Sequence, residues 1–541
     1  MRDFDNERDR FGSAGFMDPH HASLRPHFKK TPDSMFVCFI GKRKLYWNGM
    51  GGVLLVAGAR GGKLRDILAY NILDSMYCGT LLILDMKGEL AVISQNQTKG
   101  GKHNIYWNPS GLMGMPQDRI NPVDYIHKDN PLLVSYVKMF VENMISLTGS
   151  ANAEYFERRG REFLEAIILT LVEVDGALTL PRLYEIINLI PGNTARWLAF
   201  AFEMSESGYE MPVRIEQEIA ASHKNPGGGM QGILGEIFKS FTALSDPALM
   251  ASVSPPYTAS LSQLCDSKQR YNFYMMPPAE FIESWGPIIK ALLVGAYLYK
   301  SRAPHAPRQT WILDECAQLT GFPLISKLYS LGAGIGIRPV AVFQSTSQMK
   351  ALGPDAENII PSSAAVQIYF AVRDYSSASL LSNRLGHQTL EYDDTLARSK
   401  AMMAKKAAVR AVLNGAHPSE EGVKLAHYTQ AAQHRTKQKR LQRTPDEILN
   451  TPDNKAYVFM DGLPHAVYGD RKPYWEQRDL AGRFHSNPYH PPQNDKHIGH
   501  VRVKTFFGYR WCKIMNGPVP AAFAKHPQYA SGTWSYVEGY E

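Results

Sequence analysis

Seven short runs of this chain are apolar almost without interruption, and each ends at a polar or glycine-rich turn. They are GVLLVAG (52–58), TLLILDMKGE (80–89), YNFYMMPP (271–278), TWILDE (310–315), RPVAVFQS (338–345), AAVQIYFAV (364–372) and KAYVFMDG (455–462). A strand with one face in water alternates apolar and polar residues. A continuous run needs cover on both faces, the condition met in a parallel sheet between layers of helices. Helical patterns fall between the runs, RDILAYNILDSMY after the first and PIIKALLVGAYLYK before the fourth. The alternation predicts an α/β fold with a mostly parallel sheet. From about Pro131 the strand signal vanishes and amphipathic segments follow one another to about Ala251, EYFERRGREFLEAIILTLVEV among them. This predicts an all-α domain inserted into the α/β one.

The 541 residues suggest two to four domains. The expected division is an N-terminal lead-in (1–35), a nucleotide-binding α/β domain (36–130 and 256–480), the all-α domain (131–255) and a C-terminal tail (481–541). That tail, rich in Pro, His, Tyr and Trp, shows little periodicity before VRVKTFFGYRWCKIM and has no evident place in the core. With 8 Trp, 27 Tyr and 23 Phe the chain is not disordered as a whole. Its five cysteines (Cys38, Cys78, Cys265, Cys316, Cys512) are scattered and odd in number, which excludes a disulfide scaffold and points to a reducing compartment. No signal-peptide pattern and no window of the ~18–20 apolar residues that span a bilayer is present, so the chain reads as soluble.

The net charge of +8 is concentrated. Eleven Lys/Arg and two acids lie between Arg398 and Arg443, leaving the rest of the chain at −1. In this basic insert (396–443), residues 396–413 read as a helix and AAQHRTKQKRLQR as a polar loop. Clustered cations release counterions from a phosphate backbone, so Lys405, Lys406, Arg435, Lys437, Lys439 and Arg440 are candidate nucleic-acid contacts; a solvated loop is the other reading.

The first strand opens onto GARGGKL, with Gly58, Gly61, Gly62 and Lys63 ahead of a helix. Strand, glycine-rich loop, lysine, helix is the arrangement whose backbone N–H groups cradle phosphates while the lysine reaches the outer ones. The usual loop has four residues between its first glycine and the Gly-Lys pair; here there are three, and Leu64 stands where a hydroxyl usually meets Mg²⁺. In TWILDE, Asp314 and Glu315 end an apolar strand, where P-loop enzymes place a metal-holding Asp and a water-polarising Glu. Gln344 follows another strand, placed to sense nucleotide. Asp85 ends a third.

As an ordered set these strings resemble the type IV secretion system coupling proteins, the conjugative DNA-transfer ATPases of TraG/TraD type. FGSAGF near Phe11, GVLLVAGARGGK, LLILDMKGEL, INPVDYI, ERRGREFLEAIILTLV, YMMPPAEF, ILDECAQL, FQSTSQM, VRDYSSASLLSNRLG and RTPDEILNTPDNKAYVFMDGLP follow in the family's order across residues 10–480. The resemblance implies a RecA-like P-loop NTPase domain interrupted by an all-α substrate-recognition domain. It implies ATP and Mg²⁺ as cofactors and a homo-hexamer or mixed ring at the cytoplasmic face of the bacterial inner membrane. The implied partners are a relaxase–single-stranded DNA complex or protein effectors, together with inner-membrane secretion components. Carried over, Lys63 contacts phosphate, Asp314 holds the metal, Glu315 activates water and Gln344 senses nucleotide. Arg338 is the one arginine positioned as a possible finger, a strand-start residue being the other reading.

The chain departs from the family pattern in its short loop, in lacking an N-terminal transmembrane pair and in the basic insert. Two functions therefore stand: an ATP-driven coupling motor, or a catalytically impaired paralogue that recruits substrate without hydrolysis.

Overall fold

The computed structural model describes residues 11–539 apart from 75–78, 96–101, 146, 148–150, 193, 225–227, 393–394, 416, 420–422, 425, 427–435, 478, 481–482, 490–498 and 526–532. Its strands are β1 (Met35–Ile40), β2 (Arg43–Trp47), β3 (Val53–Ala57), β4 (Thr80–Leu84), β5 (Lys102–Trp107), β6 (Arg270–Met275), β7 (Gln309–Leu313) and β8 (Ile337–Phe343). They continue with β9 (Val366–Phe370), β10 (His387–Tyr392), β11 (Thr436–Leu441), β12 (Lys455–Met460), β13 (Val467–Asp470), β14 (His500–Thr505), β15 (Gly508–Pro518) and β16 (Thr533–Val537). Each of the seven apolar runs forms a strand. Eleven strands make one sheet in the order β2-β1-β13-β12-β9-β3-β8-β7-β4-β6-β5. The seven from β9 to β5 are parallel, and the four on the other side are antiparallel.

Burial on both faces splits the core in two. Leu54, Val56, Leu82, Leu84, Trp311, Leu313 and Phe343 point to one side, where they join the buried residues of the helical region. Val53, Leu55, Leu81, Ile83, Ile312, Val340 and Val342 point to the other, with Ile67, Leu68 and Ile72 of the helix after β3. Each buried Val, Leu or Ile contributes roughly 1.5–3 kcal/mol by removal from water, which is why polar interruptions are few and, as at Gln367, bonded to Pro361 O and the Tyr369 hydroxyl. Among the described residues from 131 to 255 the elements are helices without strands: Leu133–Met144, Ala151–Asp175, Leu180–Leu189, Ala195–Ser205, Glu210–Lys224, Gly228–Phe241 and Pro247–Ser252.

Two expectations need correction. The helix of the basic insert is present (Thr395–Leu413), but part of the expected polar loop is strand β11, paired antiparallel with β10. The ladder continues onto the N-terminal segment: Ala14 N–H donates to His387 O (3.0 Å) and Thr389 N–H to Gly12 O (3.1 Å). Backbone pairing, not apolar periodicity, defines this strand. Gly12 is obligatory there, since its φ is +142° and a Cβ would stand 2.2 Å from His387 O. The tail also has a place in the core. Phe484 is buried against Tyr474, and His485 N–H donates to Ile93 O (3.0 Å). Beyond it β14, β15 and β16 form a separate antiparallel sheet.

Candidate functional site

Register alone brings the expected site together. Val56 pairs with Phe343, Ala341 with Leu313, and Leu313 with Leu84. The residues just past these positions, the loop from Gly58, Gln344, Asp314 and Asp85, therefore share the carboxyl edge of the parallel sheet, where α/β folds bind ligands.

The loop is tightly drawn. Gly58 N–H donates to Ala371 O (3.2 Å) and Gly61 N–H to Gly58 O (3.0 Å). A Cβ at Gly58 would lie 2.3 Å from Ala371 O, and one at Gly61 2.8 Å from Gly58 O. Arg60 turns the chain at a φ of +59° and Gly62 at +88°. After Lys63 the helix opens with a π-turn, Leu64–Leu68, before Ala69–Ile72 continues as α-helix. A π-turn holds one residue more than an α-turn.

Lys63 bonds Glu315 Oε1, and its Nζ stands 3.3 Å from Asp314 Oδ1. Gln344 Nε2 donates to both Glu315 oxygens, at 3.1 and 2.9 Å. Glu315 itself sits at a φ of +53°, a strained setting for a non-glycine residue that turns its carboxylate back towards Lys63. Burial favours the neutral lysine, but attraction to Asp314 and Glu315 outweighs it, so the Lys63 pKa rises. Burial also raises Asp314, against the pull of Lys63. Burial pushes Asp85 up to about 7, helped by Asp314 and Glu89 and opposed by the Ala91 N–H that its carboxylate accepts at 2.8 Å.

Gly61, Gly62, Lys63, Asp85, Asp314 and Glu315 line a cavity of about 380 Å³, the size of a small-ligand site. Its walls include Arg60, Leu64, Met86, Lys87 and Glu89 and two residues that sequence reasoning did not reach, Trp475 and Asn487. Asn487 Nδ2 donates to Glu89 Oε2 (2.9 Å). A third missed residue is Arg471, which braces the loop from beneath. Its Nη1 donates to Gly61 O (2.7 Å) and Asp66 Oδ2 (2.6 Å), its guanidinium lies 3.8 Å from the Phe370 ring centroid, and Arg65 closes the other side of Asp66. No motif marks Arg471; it lies 405 residues from Asp66. The residues present fit a nucleotide with its metal. The loop admits no Cβ at two glycines, a cation faces it, and the buried Asp314 Oδ1 has Lys63 Nζ as an ion partner at 3.3 Å without a well-formed hydrogen bond.

Arg338 must be corrected. It begins β8, at the opposite end of the strand from Gln344, is 1% exposed, and donates from Nη2 to Asp33 O (2.8 Å). A buried guanidinium at that edge does not line this cavity, and its setting is that of a strand-start residue. The basic residues lie away from the cavity lining. Lys405 and Lys406 are exposed on the insert helix, and Lys439 and Arg440 on β11, with Arg440 paired to Glu447 at 2.5 Å. Lys437 occupies a backbone position on β11 opposite Glu391. Arg435 lies outside the described residues.

A parallel sheet with a glycine loop and lysine after one strand, an acid pair after the next but one, and a glutamine on the strand between defines the RecA-like P-loop class of α/β fold. Within that class the chain belongs to the family described as Type IV secretory system Conjugative DNA transfer, whose model matches residues 6–496. It is similar to protein VirD4 of Agrobacterium fabrum, 22% identical over 472 residues that cover 83% of this chain and 63% of that protein. It is also similar to the conjugal transfer protein TraG of Rhizobium radiobacter, 23% identical over 480 residues, covering 83% and 66%. The chain thus spans somewhat less than two thirds of these relatives' length. In fold it resembles the plasmid coupling protein TrwB in complex with ADP and Mg²⁺ (TM-score 0.58, 16% identity, covering 90% of this chain and 99% of that one). The TrwB complex with a non-hydrolysable ATP analogue is similar too (TM-score 0.54, 18% identity, covering 85% and 96%). Among the described residues no helix is long and apolar enough to cross a membrane.

Proposed function

We propose that this chain is the motor of a type IV secretion coupling apparatus, binding ATP·Mg²⁺ and using it to deliver a relaxase–DNA complex or protein effectors to the secretion channel. The observation that carries the reading is the convergence of Lys63, Asp314 and Glu315 on one cavity, with Gln344 bonded to Glu315 from a third strand end. The retained contact of Lys63 with Asp314 and Glu315 supports a working site despite the short loop, and so weighs against the adaptor reading.

In this reading Gly58 and Gly61, whose own N–H groups close the turn, let the backbone pass close to phosphate, the N–H groups of Gly62 and Lys63 hold it, and the Lys63 ammonium leaves the acid pair to meet it. Asp314 holds the Mg²⁺, which when bound neutralises the charge that develops on the phosphates. Released from Lys63, Glu315 accepts a proton from the attacking water. Gln344, bonded to both Glu315 oxygens, keeps that carboxylate aimed and couples it to β8. Asp85, at the next strand end, keeps a second carboxyl beside the site in its neutral form below about pH 7.

Residues 131–255 would serve as the substrate-recognition domain, on the α/β domain formed by 36–130 and 256–480. Lys405, Lys406, Lys437, Lys439 and Arg440 would contact nucleic acid. Assembly would be a homo-hexamer or mixed ring at the cytoplasmic face of the inner membrane. Calorimetry of the purified chain with ATP·Mg²⁺ tests the core of this: binding should be lost in K63A, and phosphate release should rise with single-stranded DNA. Absence of binding at millimolar nucleotide would refute the motor and restore the adaptor.

A further inference from the structure

Beyond residue 496, where the family match ends, the chain adds the hairpin β14–β15 with β16 alongside. Thr505 pairs with Gly508, so the two-residue turn between the strands is Phe506-Phe507. Those rings are 95% and 96% exposed, more than any other large hydrophobic side chain among the described residues. From His500 to Val537 the sequence carries five Lys/Arg and no Asp or Glu. Lys504, Arg510 and Lys513 are exposed along the strands behind the tip.

We infer that this hairpin tip docks on an anionic lipid bilayer, with Phe506 and Phe507 entering the headgroup–acyl boundary. Lys504 precedes the rings by two residues and Arg510 follows them by three, so at ~3.3 Å per strand residue the charges sit roughly 7–10 Å behind the apolar tip. Interfacial elements bury their apolar groups about 5–10 Å deep, which leaves these cations level with lipid phosphates. Charge complementarity names an anionic surface. Ring geometry separates a bilayer from single-stranded nucleic acid, the other polyanion that aromatic and basic residues serve. The two rings meet edge to face, with centroids 5.1 Å apart and planes at 81°, which forms one compact knob instead of parallel platforms for successive bases. The inference stands on these residues and not on the ATPase reading.

Co-sedimentation of the full chain with phosphatidylcholine vesicles, with and without phosphatidylglycerol, tests it. Wild type should bind the anionic vesicles, F506S/F507S should lose more than about tenfold in partitioning, and F506L/F507L, which stays apolar without a stacking face, should keep most of it. K504E/R510E should lose the preference for anionic lipid. ATP binding by the same variants should be unchanged, which keeps failure here distinct from failure of the nucleotide site. Vesicle binding that survives the serine pair, no vesicle binding by wild type, or loss in the leucine pair together with loss of single-stranded DNA binding would each overturn the inference.

Discussion

Replacing Asp85 with asparagine should make stability less dependent on pH, and the size of the change follows from the site. Asp85 is 4% exposed, and burial lifts its pKa from 3.8 to about 7. An unfolded chain gives up this proton near pH 4, whereas the folded one holds it to about 7. Over that interval the native state binds more protons, so folding stability falls as pH rises, by about 1.36 kcal/mol per pH unit, and levels off above pH 7. The total is about 4 kcal/mol, of which about 2.5–3 kcal/mol opens between pH 5 and 8. Asparagine cannot titrate, yet its carbonyl oxygen can still accept the Ala91 N–H. Urea denaturation of wild type and D85N at a series of pH values reads the difference directly. The two should approach each other near pH 4–5, and the variant should lead by several kcal/mol at pH 8. Curves that stay parallel within about 1 kcal/mol from pH 5 to 8 would refute the burial argument.

Further tests address the loop and its supports. R471M leaves the buried Asp66 carboxylate with Arg65 alone and unfastens Gly61 O, and should cost about 2–3 kcal/mol in urea denaturation, with part of the loss recovered in D66N/R471M. Q344A should slow phosphate release on the order of 10²-fold while ATP affinity by calorimetry stays within about threefold, since it unfastens Glu315 without touching the loop. G12A forces a Cβ against His387 O, and should lower the urea-derived stability by about 1–3 kcal/mol through the β10 ladder.

The sheet was legible because its strands are buried on both faces, and burial writes itself as an unbroken apolar run. Where a strand's own chemistry is mixed, the signal fails: β5 reads KHNIYW, and β11 reads TKQKRL, a run with a single apolar residue held by main-chain pairing. Lys63, Asp314, Glu315 and Gln344 were legible because each follows a strand end, and parallel register then brings strand ends to one edge. For Arg338 both readings stayed open in the sequence, and the structure places it at the end of β8 away from Gln344. Trp475, Asn487 and Arg471 left no trace, since their roles arise from contacts across some 400 residues with no periodicity to mark them.

Those separations bear on how the protein is made. Glu89 and Asn487, hydrogen-bonded across the cavity, are 398 residues apart. At translation rates of about 5–20 residues per second, the glycine loop waits roughly 20–80 s on the ribosome before the last part of its own wall is synthesised. Throughout that interval the nascent chain has a lysine and a loop but no closed pocket. The wall that Asn487 supplies therefore exists only once synthesis has passed that residue, and a messenger truncated before its codon yields a product whose pocket lacks that side.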